Sequence, residues 1–221
     1  MALHPKFPSS PYAVLDPELR WFPADEALRE KDYGKLLPPL VAKLRKEVKV
    51  WRDSGYAGAS STSIALLNWW FKHDHFLSAK DGTTFKFQYY FAQREAIESL
   101  IYVYEVVKAK DKYDLMRFDS SGILTASMFS ENWRRYVIKM ATGSGKTKVM
   151  SLVLAWCYYH KLYEDESRLA RNFLIIAPNI IVLERLRNDF DGLKIFFQDP
   201  VLPDNGYPSL PILMRQKGVL Y

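Results

Sequence analysis

Cysteine is almost missing from this 221-residue chain, and Cys157 carries its single thiol. A lone thiol excludes an internal disulfide and any zinc site built from several cysteines. Long apolar runs are missing too. A membrane span needs about 18 consecutive apolar residues, and the longest stretch of that character, 151–159, reaches about half that length. The opening Met1-Ala2-Leu3-His4-Pro5-Lys6-Phe7-Pro8 does not have the charged-then-apolar layout of a signal peptide. No repeat or low-complexity tract is present. These absences lead us to expect a soluble, cytoplasmic protein with no membrane segment.

What is present is ordinary globular material: 48% hydrophobic and 25% charged residues, which argues against disorder. The charge is unbalanced. Thirty-one Lys and Arg face 25 Asp and Glu, giving +6 and a pI near 9.2. A basic balance suits a polyanionic partner without demonstrating one.

Along the chain, Pro5, Pro8, Pro11, Pro17 and Pro23 mark the first 35 or so residues as an extended arm with short turns. The aromatics of 16–23 are expected to anchor it. Pro38 and Pro39 suit a helix start, where a missing N–H costs nothing. Leu40, Val41, Leu44, Val48 and Trp51 then recur at helical spacing up to Gly55 and Gly58. Ser60-Ser61-Thr62-Ser63 opens a second helix over 63–71. Residues 1–82 thus read as a small, mostly helical module. From 83 onward the pattern changes. Residues 84–90 alternate as a strand, 92–108 form a long helix, and 109–132 form a polar insertion loop. A β-α-β-α order follows, with strands at 135–140 and 173–177 and helices at 146–162 and 180–190. Strands separated by helices of this length predict an α/β fold with a parallel sheet.

One turn carries chemistry. Ala141-Thr142-Gly143-Ser144-Gly145-Lys146-Thr147 joins the first of those strands to its helix. The phosphate-loop pattern is Gly-x4-Gly-Lys-Ser/Thr; here Met140 stands at its first glycine. Gly143 and Gly145 can adopt backbone angles closed to other residues. Successive N–H groups at the helix start form an anion site. Lys146 supplies a full charge for the β- and γ-phosphates, and Thr147 a hydroxyl for Mg²⁺. A flexible glycine turn with an accidental lysine is the bland alternative, and the strand-to-helix context argues against it.

Met140-Ala141-Thr142-Gly143-Ser144-Gly145-Lys146-Thr147 resembles motif I of superfamily 2 helicases and translocases. Ile175-Ile176-Ala177-Pro178-Asn179 is similar to their motif Ia, and Tyr90-Phe91-Ala92-Gln93-Arg94-Glu95-Ala96-Ile97 to their glutamine motif. Together they resemble the ATP-dependent subunit of type III restriction enzymes, with its helicase/UvrB-like N-terminal domain. Pro11-Tyr12, Leu15-Asp16-Pro17 and Arg20-Trp21 look, more loosely, like the start of such proteins. The resemblance implies an incomplete RecA-like ATP-binding domain over 83–221. It implies that Gln93 meets adenine, that residues 141–147 hold ATP and Mg²⁺, and that Pro178 and Asn179 lie along double-stranded DNA. ATP would then bind between Gln93 and the loop. A modification methyltransferase partner is implied only by the likeness. ATP hydrolysis in this family also needs an acidic pair after motif Ia, which the sequence does not supply. Asp165-Glu166-Ser167 precedes motif Ia and reads as a solvated turn. The chain is therefore expected to be the catalytically incomplete front of a longer motor.

Other constellations carry less. Asp32 with Glu47-Val48-Lys49 imitates a nuclease set but lies on a helical segment. His73-Asp74-His75 offers two metal ligands without a third partner. Cys157 sits on an apolar helix and reads as inert core. The basic residues of 40–52 are open to two readings, DNA contact or a solvated face. Two rival functions remain beside the motor, a P-loop phosphotransferase and a nucleotide- or DNA-binding module without turnover.

Overall fold

A computed structural model describes residues 10–14, 40–119, 122, 124–125, 127 and 135–203. The expectations for Pro5, Pro8, Asp16, Pro17, Arg20, Trp21, Pro23, Asp32, Pro38, Pro39, most of 120–134 and 204–221 lie outside the described residues. The elements run α1 Val41–Asp53, α2 Ser61–Lys72, β1 His75–Ser78, β2 Thr84–Phe87 and α3 Phe91–Ile101. A π-helical turn, Tyr102–Val106, extends α3. Then come α4 Lys112–Met116, α5 Lys146–Tyr163, α6 Ile180–Phe190, a 3₁₀ turn Asp191–Leu193 and α7 Lys194–Gln198. They fall into two compact units, each assembled from two separated stretches: Met1–Ala59 with Tyr90–Lys139, and Ser60–Tyr89 with Met140–Tyr221.

In the first unit α1 packs on α3. Val48 and Trp51 of α1 and Ile97 and Ile101 of α3 are buried. The Trp51 ring meets Tyr56 and Tyr102 at 5.0 and 5.3 Å, and its indole N–H donates to the Ala57 carbonyl at 3.0 Å. Into this apolar contact the chain places a charge. Glu98 is fully buried. It accepts Arg52 Nε and a terminal Arg52 nitrogen at 2.8 and 2.6 Å. It also accepts the Tyr56 hydroxyl at 2.7 Å and Arg94 Nε at 2.8 Å. A carboxylate taken from water costs several kcal/mol unless it is fully bonded, and here four donors do that. Tyr56 holds its place at φ 68°, the left-handed region that is costly for a side chain with a Cβ.

Four of the five basic residues of α1 are tied within this unit. Lys43 donates to the Arg117 carbonyl at 2.6 Å, Lys49 pairs with Asp53 at 2.8 Å, and Arg45 with Glu95 at 3.1 Å. Of the two readings left open for this face, the charges of Lys43, Arg45, Lys49 and Arg52 serve as internal ties.

The second unit packs α2 against α5, and α5 against α7. Ser60 caps α2 by accepting the Ser63 N–H at 3.2 Å, as the serine cluster predicts. Leu66, Leu67, Trp69 and Trp70 are buried with Val149, Leu152, Ala155, Trp156 and Tyr159 of α5. Each buried indole finds an acceptor. Trp156 donates to Ser63 Oγ at 2.8 Å, Trp69 to the Pro200 carbonyl at 3.0 Å, and Trp70 to that of Val201 at 2.8 Å. Glu164, just past α5, accepts the Thr62 N–H at 3.1 Å. The end of one helix thereby satisfies the start of the other.

Strands β1 and β2 pair antiparallel, His75 opposite Phe87 and Ser78 opposite Thr84. Gly82 makes the turn at φ 84°, and Asp81 fixes it by accepting the Thr83 N–H at 3.0 Å. The strand expected over 84–90 is thus realised over its first four residues, with a partner the alternation did not reveal. This hairpin is the one sheet among the described residues. The two runs expected as parallel strands, 135–140 and 173–177, form no ladder. A strand exists through its neighbours, and these runs have none. Val137, Leu174 and Ile176 stand 77%, 85% and 80% exposed. The parallel sheet expected from the β-α-β-α order is therefore not formed among the described residues, while both helices of that order are. No helix of the described residues is long and apolar enough to cross a membrane.

The Trp156–Ser63 bond gives the first test. Ser63→Ala strips the acceptor from a buried indole N–H, and urea unfolding should show a loss of about 1–3 kcal/mol.

Candidate functional site

Helix α5 begins at a backbone device. Gly143 and Gly145 both lie at φ 81°, and Gly145, with ψ 43°, is the residue from which the helix starts. A left-handed residue turns the chain sharply enough for the following amides to face back toward the loop. Those first amides have no partner within the helix. Around Gly143 nothing stands within 4 Å of where a Cβ would be, so the bend has open space beside it. The sequence reading assigns residues 141–147 to phosphate, and the structure brings them together in one turn.

Lys146 folds back over this turn. Its Nζ donates to the carbonyls of Met140 at 3.1 Å and Ala141 at 2.9 Å. Ser144 Oγ donates to the same Ala141 carbonyl at 2.7 Å. The ammonium is exposed, as are Ala141 and Thr142, while Thr147 is partly buried. A cation held by neutral carbonyls is loosely committed. A phosphate oxygen about 4 Å away would attract it by roughly 4 kcal/mol at an effective dielectric near 20, enough to displace them. The loop thus sets the unpaired first amides of a helix beside an exposed ammonium, a donor set of the kind an anion needs.

Pro178 and Asn179 lie in the same unit, at the start of α6, and both are exposed. Asn179 has a structural task, since its Oδ1 accepts the Val182 N–H at 3.0 Å and caps α6. Gln93 belongs to the other unit. It is 3% exposed, and its Oε1 accepts the Tyr90 N–H at 2.9 Å in a capping box at the start of α3.

The weaker constellations resolve into local structure. Glu47 accepts Tyr102 Oη at 2.9 Å and Arg117 at 3.2 Å, and Lys49 is tied to Asp53, so both described members of the nuclease-like set are engaged in local ties. Asp74 pairs with Lys86 at 2.7 Å, and this bond holds its carboxyl below the usual range. His75 Nε2 lies 2.7 Å from the Trp69 carbonyl. Asp165 and Glu166 form an exposed turn, as expected, but Ser167 is buried, with its Oγ 2.7 Å from His160 Nδ1. Burial pushes the Cys157 thiol up to about 12, so it is protonated at neutral pH. Sequence reasoning missed the ion pair between Lys148 and Asp199. Fifty-one positions separate them, and no local spacing announces it.

Comparison with known proteins adds one family. The model of the type III restriction enzyme res subunit matches residues 86–203, a little over half of the chain. No curated protein and no solved structure matches it.

Two measurements check the site. Gly143→Ala should lower stability in urea by about 1–2 kcal/mol although its methyl meets nothing, because the cost lies in φ alone. Cys157 should react with a maleimide at pH 8 about a hundredfold more slowly in the folded chain than in urea.

Proposed function

This chain belongs to the family of the type III restriction enzyme res subunit, and from that premise we propose that it binds MgATP through residues 141–147. The family is helicase-like and ATP-dependent, and its parent proteins are hydrolases of the ATPase type. One observation carries the finer reading: the left-handed glycine bend that opens α5 at Lys146, inside the matched region. Lys146 exchanges the Met140 and Ala141 carbonyls for the β- and γ-phosphates. The first amides of α5 bond the remaining oxygens, and Thr147 directs its hydroxyl to the metal. When bound, Mg²⁺ offsets phosphate charge.

Gln93 is the proposed reader of adenine. Pro178 and Asn179 are the proposed contact with double-stranded DNA, made through exposed backbone so that the Asn179 cap survives. The parent protein would couple ATP hydrolysis to movement along duplex DNA. No acidic pair follows Asn179 on an apolar strand in this sequence, so turnover by these 221 residues should be slow. A modification methyltransferase is the partner that the family's restriction chemistry calls for.

Titration calorimetry with MgATP tests the reading. Binding should be measurable for the chain and lost in Lys146→Ala; an unchanged affinity in that variant would overturn the assignment. Duplex DNA should strengthen nucleotide binding, which a small-molecule phosphotransferase would not show.

A further inference from the structure

One face of the β1–β2 hairpin carries an aromatic ring that the fold does not use. The register sets Phe76 opposite Lys86 and Ser78 opposite Thr84, and residues directly opposite share a face. That face is therefore Phe76, Ser78, Thr84 and Lys86, and all four are exposed. The other face, His75, Leu77, Phe85 and Phe87, is the one by which the hairpin is held. His75 is buried, with its Nε2 2.7 Å from the Trp69 carbonyl. Phe87 meets Tyr89 at 5.0 Å and lies under the Lys148 ammonium. Fixed from one side, the hairpin presents the other to solvent, with Phe76 63% exposed. A phenyl ring so placed adds little to folding.

The company of that ring says what suits it. A groove for an apolar segment would surround it with aliphatic side chains, whereas Phe76 shares its face with an ammonium and two hydroxyls. Lys80 adds a second exposed ammonium at the turn. Of the two acids nearby, Asp81 is spent on the turn, accepting the Thr83 N–H and hydroxyl at 3.0 and 2.6 Å. Asp74 holds Lys86 at 2.7 Å, but both members of that pair are exposed. Exposed ion pairs are weak, so a phosphate can draw the ammonium away. A flat apolar ring among cations matches a nucleic-acid base with its phosphates, since bases stack on aromatic rings and phosphates take lysines. Inside a duplex the base faces are covered, so an unpaired base is needed. We propose that the outer face of β1–β2 binds single-stranded DNA, with Phe76 stacking on one base and Lys80 and Lys86 meeting its phosphates. Each strand is four residues long, about 10 Å, which is room for one base rather than a track. This inference rests on the interaction with DNA that the restriction family suggests, and not on the phosphate reading of residues 141–147.

Fluorescence anisotropy tests it on the full 221-residue chain without nucleotide, using a labelled oligothymidine of about 15 nucleotides and a duplex of equal length. Phe76 is exposed, so truncating it leaves the core intact. Phe76→Ala should weaken the single strand about five- to tenfold and leave the duplex unchanged, and Phe76→Trp should restore the single strand. Lys80→Ala and Lys86→Ala should each reduce the slope of log affinity against log salt by about 0.7, the share of one phosphate on a single strand, while Phe76→Ala leaves that slope alone. Asp74→Asn should tighten the single strand about twofold, because it removes the competitor for Lys86. An unchanged single-strand affinity in Phe76→Ala overturns the proposal. Equal losses on single strand and duplex overturn it too, since they make Phe76 a support for the hairpin and not a platform. If the chain binds duplex and no single strand, this inference fails and the DNA reading stands; if it binds neither, both fail.

Discussion

An α-helix cannot start without leaving its first amides unbonded, and in this chain the start of α5 is where that constraint becomes useful. Gly145 turns the backbone through a left-handed angle there, and the Lys146 ammonium folds back onto the Met140 and Ala141 carbonyls of the same turn. Everything else about α5 serves to hold that end still. Val149, Leu152, Ala155, Trp156 and Tyr159 bury its face. Glu164 ties its far end to α2, and Lys148 ties its near end to Asp199. A loop of glycines is entropically free by itself; a loop mounted on a helix fixed at both ends has less freedom left.

The helices were legible because amphipathic periodicity reports burial directly. Leu44, Val48 and Trp51 recur at the spacing that one helix face requires, and Val48 and Trp51 are buried. The serine cluster marked the start of α2 to within two residues. The bend before α5 was legible for another reason: few residues tolerate positive φ, and Gly143 and Gly145 both adopt it. The strands were another matter. Phe173-Leu174-Ile175-Ile176-Ala177 has strand composition, but a strand is a relation between segments, and composition says nothing of whether a neighbour is present. β1 escaped notice because His75-Phe76-Leu77-Ser78 is four residues long and shows its pairing only through the turn at Gly82.

Long-range polar ties were the least legible of all. Arg94 and Glu98 stand four apart on α3 and could be paired by eye. Arg52 and Tyr56 reach the same carboxylate from 46 and 42 positions away, and no local rule identifies them. The basic face of α1 illustrates the cost of this blindness. Its charges were open to DNA contact or to a solvated face; Lys43 and Lys46 are exposed, while Arg45 and Arg52 are paired with Glu95 and Glu98. Gln93 and Asn179 carry a related lesson. Residues whose type matches a ligand-binding motif also make good helix caps, and each is occupied as one.

Position 56 sets two demands that no single amino acid meets in full. Its backbone angle asks for glycine, while its phenol, bonded to Glu98 and accepting from Arg94 at 3.0 Å, asks for tyrosine. Relieving the first forfeits the second, so improvement there has nowhere to go. A variant gaining backbone ease at this residue inherits a carboxylate short of one donor, and the repair would have to come from a second change elsewhere in the cluster.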